Sequence, residues 1–98
     1  MKHVADKLEQ GEVVTFAPKG NSMLPLIRSG QTVTVSPVLS KDQLKVDDIV
    51  LCRVKGKYYL HKIYAVDSGT GRYLIGNNRG YKNGWTSTIY GVVTTIHP

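Results

Sequence analysis

Glycine and proline cut this chain into short pieces. Turn signals fall at Ala17–Gly20, Ser29-Gly30, Lys55-Gly56-Lys57, Asp67–Gly71 and Gly76–Gly84, and Gly91 interrupts the last apolar run. Glycine supplies the backbone angles that tight turns need, and proline removes a hydrogen-bond donor, so long regular elements do not survive such punctuation. The runs between the turns alternate. Gln31–Pro37 sets Val33 and Val35 against Thr32, Thr34 and Ser36. Ile49–Val54 puts Val50, Cys52 and Val54 on one face. Lys57–Val66 puts Tyr59, His61 and Ile63 on one face and Leu60, Lys62 and Tyr64 on the other. A period of two is the signature of a strand. Further strands are expected at Glu12–Phe16, Arg72–Ile75 and Thr88–Ile96. Gly76–Gly84 reads as a polar loop, Ser40–Asp47 as a polar connection, and Asn21–Ile27 as a turn or short helical piece. Only Met1–Gln10, with Val4 and Leu8 four residues apart and Gly11 to stop it, reads as a helix. The expected fold is all-β: a partly open barrel of short strands, one domain over residues 1–98, with a short N-terminal helix.

Composition narrows the function classes. The chain has 98 residues, 41% hydrophobic and 20% charged, which suits a globular domain rather than a disordered one. No run approaches the ~20 apolar residues of a membrane span. The polar N-terminus lacks the apolar core of a secretory signal. A cytoplasmic location with no membrane anchor is therefore expected. Cys52 is the only cysteine, so neither an internal disulfide nor a cysteine-rich zinc site is expected. No His/Cys/Asp cluster has metal spacing and no glycine-rich phosphate loop is present, so no metal and no cofactor is expected.

The net charge of +6 is unevenly placed. Residues 1–50 balance six basic against six acidic side chains, whereas residues 51–98 carry seven basic residues against Asp67 alone, with all six tyrosines and Trp85. Basic and aromatic interleaving is one signature of single-stranded nucleic-acid binding. It is more often the look of a solvated basic sheet face, because tyrosine is a common strand residue.

The segment Gly20-Asn21-Ser22-Met23-Leu24-Pro25 carries the clearest chemistry. It sets a serine on a tight turn after a strand, where backbone N–H groups could stabilise an oxyanion. A nucleophilic serine needs a base. His61, with an ordinary pKa near ~6.5, can take and return a proton near neutrality. By spacing alone, a serine on a turn is more often a cap and a lone strand histidine more often structural. Asp47 and Asp48 read as turn residues, Cys52 as an inert buried thiol, and His3 and His97 as uninvolved.

The order of segments resembles the serine peptidase superfamily of type I signal peptidases and LexA-type self-cleaving repressors. The boxes that carry the resemblance are Gly20–Pro25, then Ser29-Gly30-Gln31-Thr32-Val33-Thr34-Val35, Val46-Asp47-Asp48-Ile49-Val50, Leu60-His61-Lys62-Ile63, Leu74-Ile75-Gly76-Asn77-Asn78 and Ile89-Tyr90-Gly91-Val92-Val93. They span about residues 13–96. The resemblance implies Ser22 as nucleophile. It implies His61 as base, where most bacterial members have lysine; the endoplasmic-reticulum and archaeal signal peptidases are similar in using histidine followed by a basic residue. Lys62 is a poor substitute base, because alternation points it away from the His61 face. In the histidine branch an aspartate orients the base. Asn77 stands at that position here, with Asn78 and Asn83 as alternative orienters. An amide can fix an imidazole tautomer but cannot stabilise imidazolium with a full charge. Either a weaker Ser22–His61 dyad or a lost activity follows.

Gly20, Asn21, Met23 and Pro25 are expected to contact substrate, although Met23 and Leu24 also read as packing beneath the turn. No Ala-Gly or Cys-Gly pair precedes Ser22, so self-cleavage is not expected. The leading expectation is a soluble serine endopeptidase-like protein acting on a polypeptide. The alternative is a non-catalytic binding module on the same fold, recognising a host protein or, weakly, nucleic acid through the basic, tyrosine-rich second half.

Overall fold

Strand β3, Ile49–Val54, explains most of the architecture. Five of its six residues are buried, so both of its faces need cover. Ile49 and Leu51 join one core, and Val50, Cys52 and Val54 join another. The computed structural model describes residues 1–98. It arranges seven antiparallel strands in one sheet of order β1-β2-β7-β3-β4-β5-β6. The other strands are β1 Val14–Phe16, β2 Val33–Pro37, β4 Lys57–Asp67, β5 Arg72–Gly76, β6 Lys82–Thr86 and β7 Ile89–Ile96. The protein is mainly β, with a single α-helix, α1, over Lys2–Glu9 and one short 3₁₀ turn at Lys41–Gln43.

Helix α1 buries Val4, Ala5 and Leu8, the one apolar stripe that its sequence offers. These residues meet Val14, Val33, Val35, Met23 and Ile27 in the first core. The second core gathers Leu44, Ile63, Tyr73 and Ile75 on the opposite face of β3. Around this second core the sheet curls. Beyond β6, Thr88 carbonyl accepts from the Arg53 N–H at 3.1 Å, and the Thr86 hydroxyl donates to Arg53 carbonyl at 2.6 Å. Strands β3 to β6 thus nearly close on themselves, while β1 and β6 remain the ends of an open sheet.

The β3–β4 hairpin turns on Lys55 and Gly56, both at positive φ (50° and 83°), as a two-residue hairpin loop of the primed type requires. Its register pairs Val50 with His61 and Leu51 with Leu60. Asp47 and Asp48 are turn residues: Asp48 Oδ2 accepts from Lys45 N–H at 3.0 Å, and the Asp47 N–H donates to Ile63 carbonyl at 2.8 Å.

The loop expected at Gly76–Gly84 is only partly a loop. Residues 82–86 form β6, which pairs Trp85 with Leu74 and Thr86 with Tyr73. Lys82-Asn83-Gly84-Trp85-Thr86 has no apolar alternation because β6 is an edge strand that buries only Thr86. No helix is long and apolar enough to cross a membrane.

Candidate active site

Ser22 lies in the long loop between β1 and β2. Two bonds close the neck of this loop: Gly30 N–H to Pro18 carbonyl at 2.8 Å, and Gly20 N–H to Ser29 Oγ at 3.0 Å. Gly20 itself sits at φ 110°, an angle open to glycine and strained for other residues. Met23 and Ile27, 4% and 3% exposed, pin the loop to the first core. A turn from Met23 carbonyl to Ile27 N–H at 3.0 Å holds the two in step. Ser22, immediately before the first anchor, is left at the surface end of the loop. Its backbone N–H and that of Met23 are not spent on any backbone carbonyl.

His61 comes from the middle of β4. The residue is 7% exposed, and its ring stacks on Tyr59 at 5.0 Å. Nε2 lies 3.0 Å from Ser22 Oγ, and Nδ1 lies 2.7 Å from Asn83 Oδ1. The amide oxygen can only accept, so Nδ1 carries the proton and donates it. Nε2 then presents a lone pair to the serine hydroxyl. Burial pushes the His61 pKa below its ordinary 6.5, and the bond to Asn83 opposes that only in part. The ring therefore stays neutral at pH 7, the form that can accept a proton from Ser22.

The residue on Nδ1 is Asn83, not Asn77. The Asn77 side chain is turned into its own loop, where Oδ1 accepts the N–H groups of Arg79 at 2.8 Å and Tyr81 at 3.1 Å. Asparagine readily makes such local turns. Asn78 does not reach the imidazole either. Its backbone N–H donates to Ser22 carbonyl at 2.9 Å and its Nδ2 to Leu24 carbonyl at 2.9 Å, so it holds the serine turn from behind. Sequence spacing named Asn83 only as an alternative, because its strand lay hidden in an expected loop.

A cleft of about 210 Å³ opens beside Ser22 and His61. Gly20 and Met23 line it, with Pro18, Ile27, Tyr58 and Leu60 adding apolar wall. Asn21 and Pro25, also expected at substrate, do not line it; the loop turns both outward to solvent. Cys52, fully buried, is pushed up to about 12 by that burial, and its thiol donates to Tyr59 carbonyl at 3.6 Å. No three His, Cys, Asp or Glu side chains are gathered as a metal site would need.

A serine on a glycine-supported loop, one residue before a Met-x-Pro, thus faces a histidine of β4. The family model described as Peptidase S24-like matches residues 3–93. The chain belongs to the Peptidase S24-like family. Among curated proteins none matches it. The match takes in α1 and every strand through the middle of β7, so the serine loop, the histidine strand and β6 of this S24-like domain all lie within it.

Proposed function

We propose that this S24-like domain is a serine endopeptidase working with a Ser22–His61 dyad oriented by Asn83. The observation that carries the reading is the 3.0 Å separation of Ser22 Oγ and His61 Nε2, with Nδ1 held by an acceptor. In the proposed reaction Ser22 Oγ attacks the peptide carbonyl carbon and its proton passes to Nε2. The oxygen becomes an oxyanion beside the Ser22 N–H. Collapse breaks the C–N bond, and Nε2 returns the proton to the leaving amine. Water then attacks the acyl-enzyme with His61 again as base, releasing the acid and restoring the Ser22 hydroxyl. The presence of histidine rather than lysine at the base position allies the domain with the histidine-using signal peptidases.

The substrate would lie extended. Strand β1 is an end of the sheet and runs directly into Pro18, Lys19 and Gly20, which line the cleft. Its unpaired edge can add a strand through main-chain hydrogen bonds, with side chains entering the apolar cleft. A fluorophosphonate tests the reading directly. Ser22 should displace fluoride and form an Oγ–P bond, whereas Ser22→Ala and His61→Ala should react at least about a hundredfold more slowly. Equal labelling of wild type and Ser22→Ala would remove the serine from the chemistry.

One observation favours a second reading, a binding module. The Arg53 guanidinium lies 5.1 Å over the Tyr58 ring, and Tyr58 stacks on Tyr90 at 5.8 Å. This basic aromatic cluster adjoins the Lys55 hairpin and suits a weak anionic partner.

A further inference from the structure

Lys62 follows His61 on β4, and alternation carries its side chain to the other side of the strand. It is not idle there. The side chain is 19% exposed, and Nζ lies 3.1 Å from Asn78 Oδ1 and 4.9 Å from the Tyr64 ring centre. Its nearest carboxylate, Asp47, is 4.0 Å away and largely in solvent. An ammonium can only donate, so it fixes the Asn78 amide with its oxygen toward Lys62. The amide nitrogen must then face Leu24 carbonyl, where it is found at 2.9 Å. The Asn78 backbone N–H simultaneously holds Ser22 carbonyl at 2.9 Å. Consecutive residues of one strand thus reach the same serine from two directions: His61 at its hydroxyl, Lys62 through Asn78 at the backbone that carries it.

We propose that Lys62 is a positioning residue that sets the approach of Ser22 Oγ to His61 Nε2 by locking Asn78 against the serine turn. The proposal rests on the peptidase reading for its consequence in rate, and on geometry alone for its consequence at the imidazole. Displacing a nucleophile by about 1 Å can cost a hundredfold in rate, so a clamp behind the turn has leverage. The bond from Lys62 is charge-assisted and shielded on one side by the Tyr64 ring, which strengthens it relative to a neutral contact in water.

The test compares wild type with Lys62→Met, Asn78→Ala, the double variant and Lys62→Arg. Two signals are read: the rate of fluorophosphonate labelling at Ser22, and the ¹⁵N resonance of His61 Nε2 in the neutral ring, with Ser22→Ala as its reference. Each single change should slow labelling about tenfold, the worth of one charge-assisted hydrogen bond. The double variant should be no slower than the slower single, because both cut one chain of contacts. Lys62→Arg, which keeps a charged donor on a long stem, should recover most of the rate. In Lys62→Met the Nε2 resonance should move toward its Ser22→Ala position. Additive losses, or unchanged labelling and resonance in Lys62→Met, would overturn the proposal. If wild-type Ser22 fails to label at all, the peptidase reading falls. The Nε2 resonance then decides alone: movement in Lys62→Met supports the clamp and constancy overturns it. Lys62→Leu, which also lacks a donor and is read in the same way, replaces Lys62→Met should that variant not fold.

Discussion

A neutral imidazole at pH 7 has a direct kinetic consequence. The His61 pKa is lowered by burial, so kcat/KM should rise with pH through a midpoint below 6.5 and be flat above neutrality. Stability follows the same group in the same direction. The folded ring resists protonation while the unfolded one accepts it near 6.5, so stability is unpenalised above 6.5, falls as pH drops through it, and levels off below the folded pKa. Chemical denaturation at pH 5 and pH 7.5 would read this fall, and equal stabilities would contradict it. Asn83 and Asn77 offer a matched pair of substitutions. Asn83→Asp places a carboxylate 2.7 Å from Nδ1, which should raise the His61 pKa and increase hydrolysis about tenfold, well below the ~10⁴ that the carboxylate contributes in a fully tuned triad. Asn77→Asp keeps an oxygen to accept both loop N–H groups and leaves the imidazole untouched, so peptide hydrolysis should stay within about twofold. A gain confined to Asn77→Asp would reverse the assignment.

The loop after β5 depends on Gly76. A Cβ there would lie 2.8 Å from the Tyr64 ring and closer still to the Tyr81 carbonyl, which is backbone and cannot turn aside. Gly76→Ala should therefore cost about 1–3 kcal/mol and lower Tm by several degrees. Gly69→Ala, whose added carbon meets nothing nearer than 3.4 Å, should stay within about 0.5 kcal/mol. Thermal melts of the two variants side by side distinguish a packing requirement from a general intolerance of alanine in turns. The same loop shows where pattern reading works and where it stops. Strand β3 was legible to the residue, because apolar side chains on both faces leave it no other state. Helix α1 was legible from Val4, Leu8 and Gly11. Strand β6 was not, because an edge strand that buries one residue and contains a glycine at φ 134° carries no periodic signal. Missing β6 hid the asparagine that meets His61 Nδ1. Ser22 and His61 could be named from their boxes, but the contact partner of Nδ1 depends on how the sheet curls, which no local pattern encodes.

Across the whole molecule the positive charge is less concentrated than the sequence suggests. Lys62 is engaged by Asn78, and the Lys82 ammonium rests 4.1 Å over the Tyr64 ring. Arg53, Lys55 and Lys57 remain at the hairpin end, beside the Tyr58–Tyr90 stack. With about two or three phosphates engaged there, single-stranded nucleic acid should bind weakly, with a log–log salt slope of about −0.7 per phosphate. Anisotropy titrations at two salt concentrations measure it. Tight, sequence-dependent binding that persists at ~200 mM salt would instead make nucleic acid the principal partner. The sheet order has a further consequence, for the timing of synthesis. Strand β2, which follows the serine loop, and strand β3, which pairs with the histidine strand, are not neighbours; β7 lies between them. Ser22 and His61 both precede in sequence the strand that joins their two halves of the ladder. A nascent chain can hold a formed β3–β4 hairpin and a complete serine loop and still lack an assembled site. The two segments come onto one continuous sheet only once residues 89–96 have folded between β2 and β3.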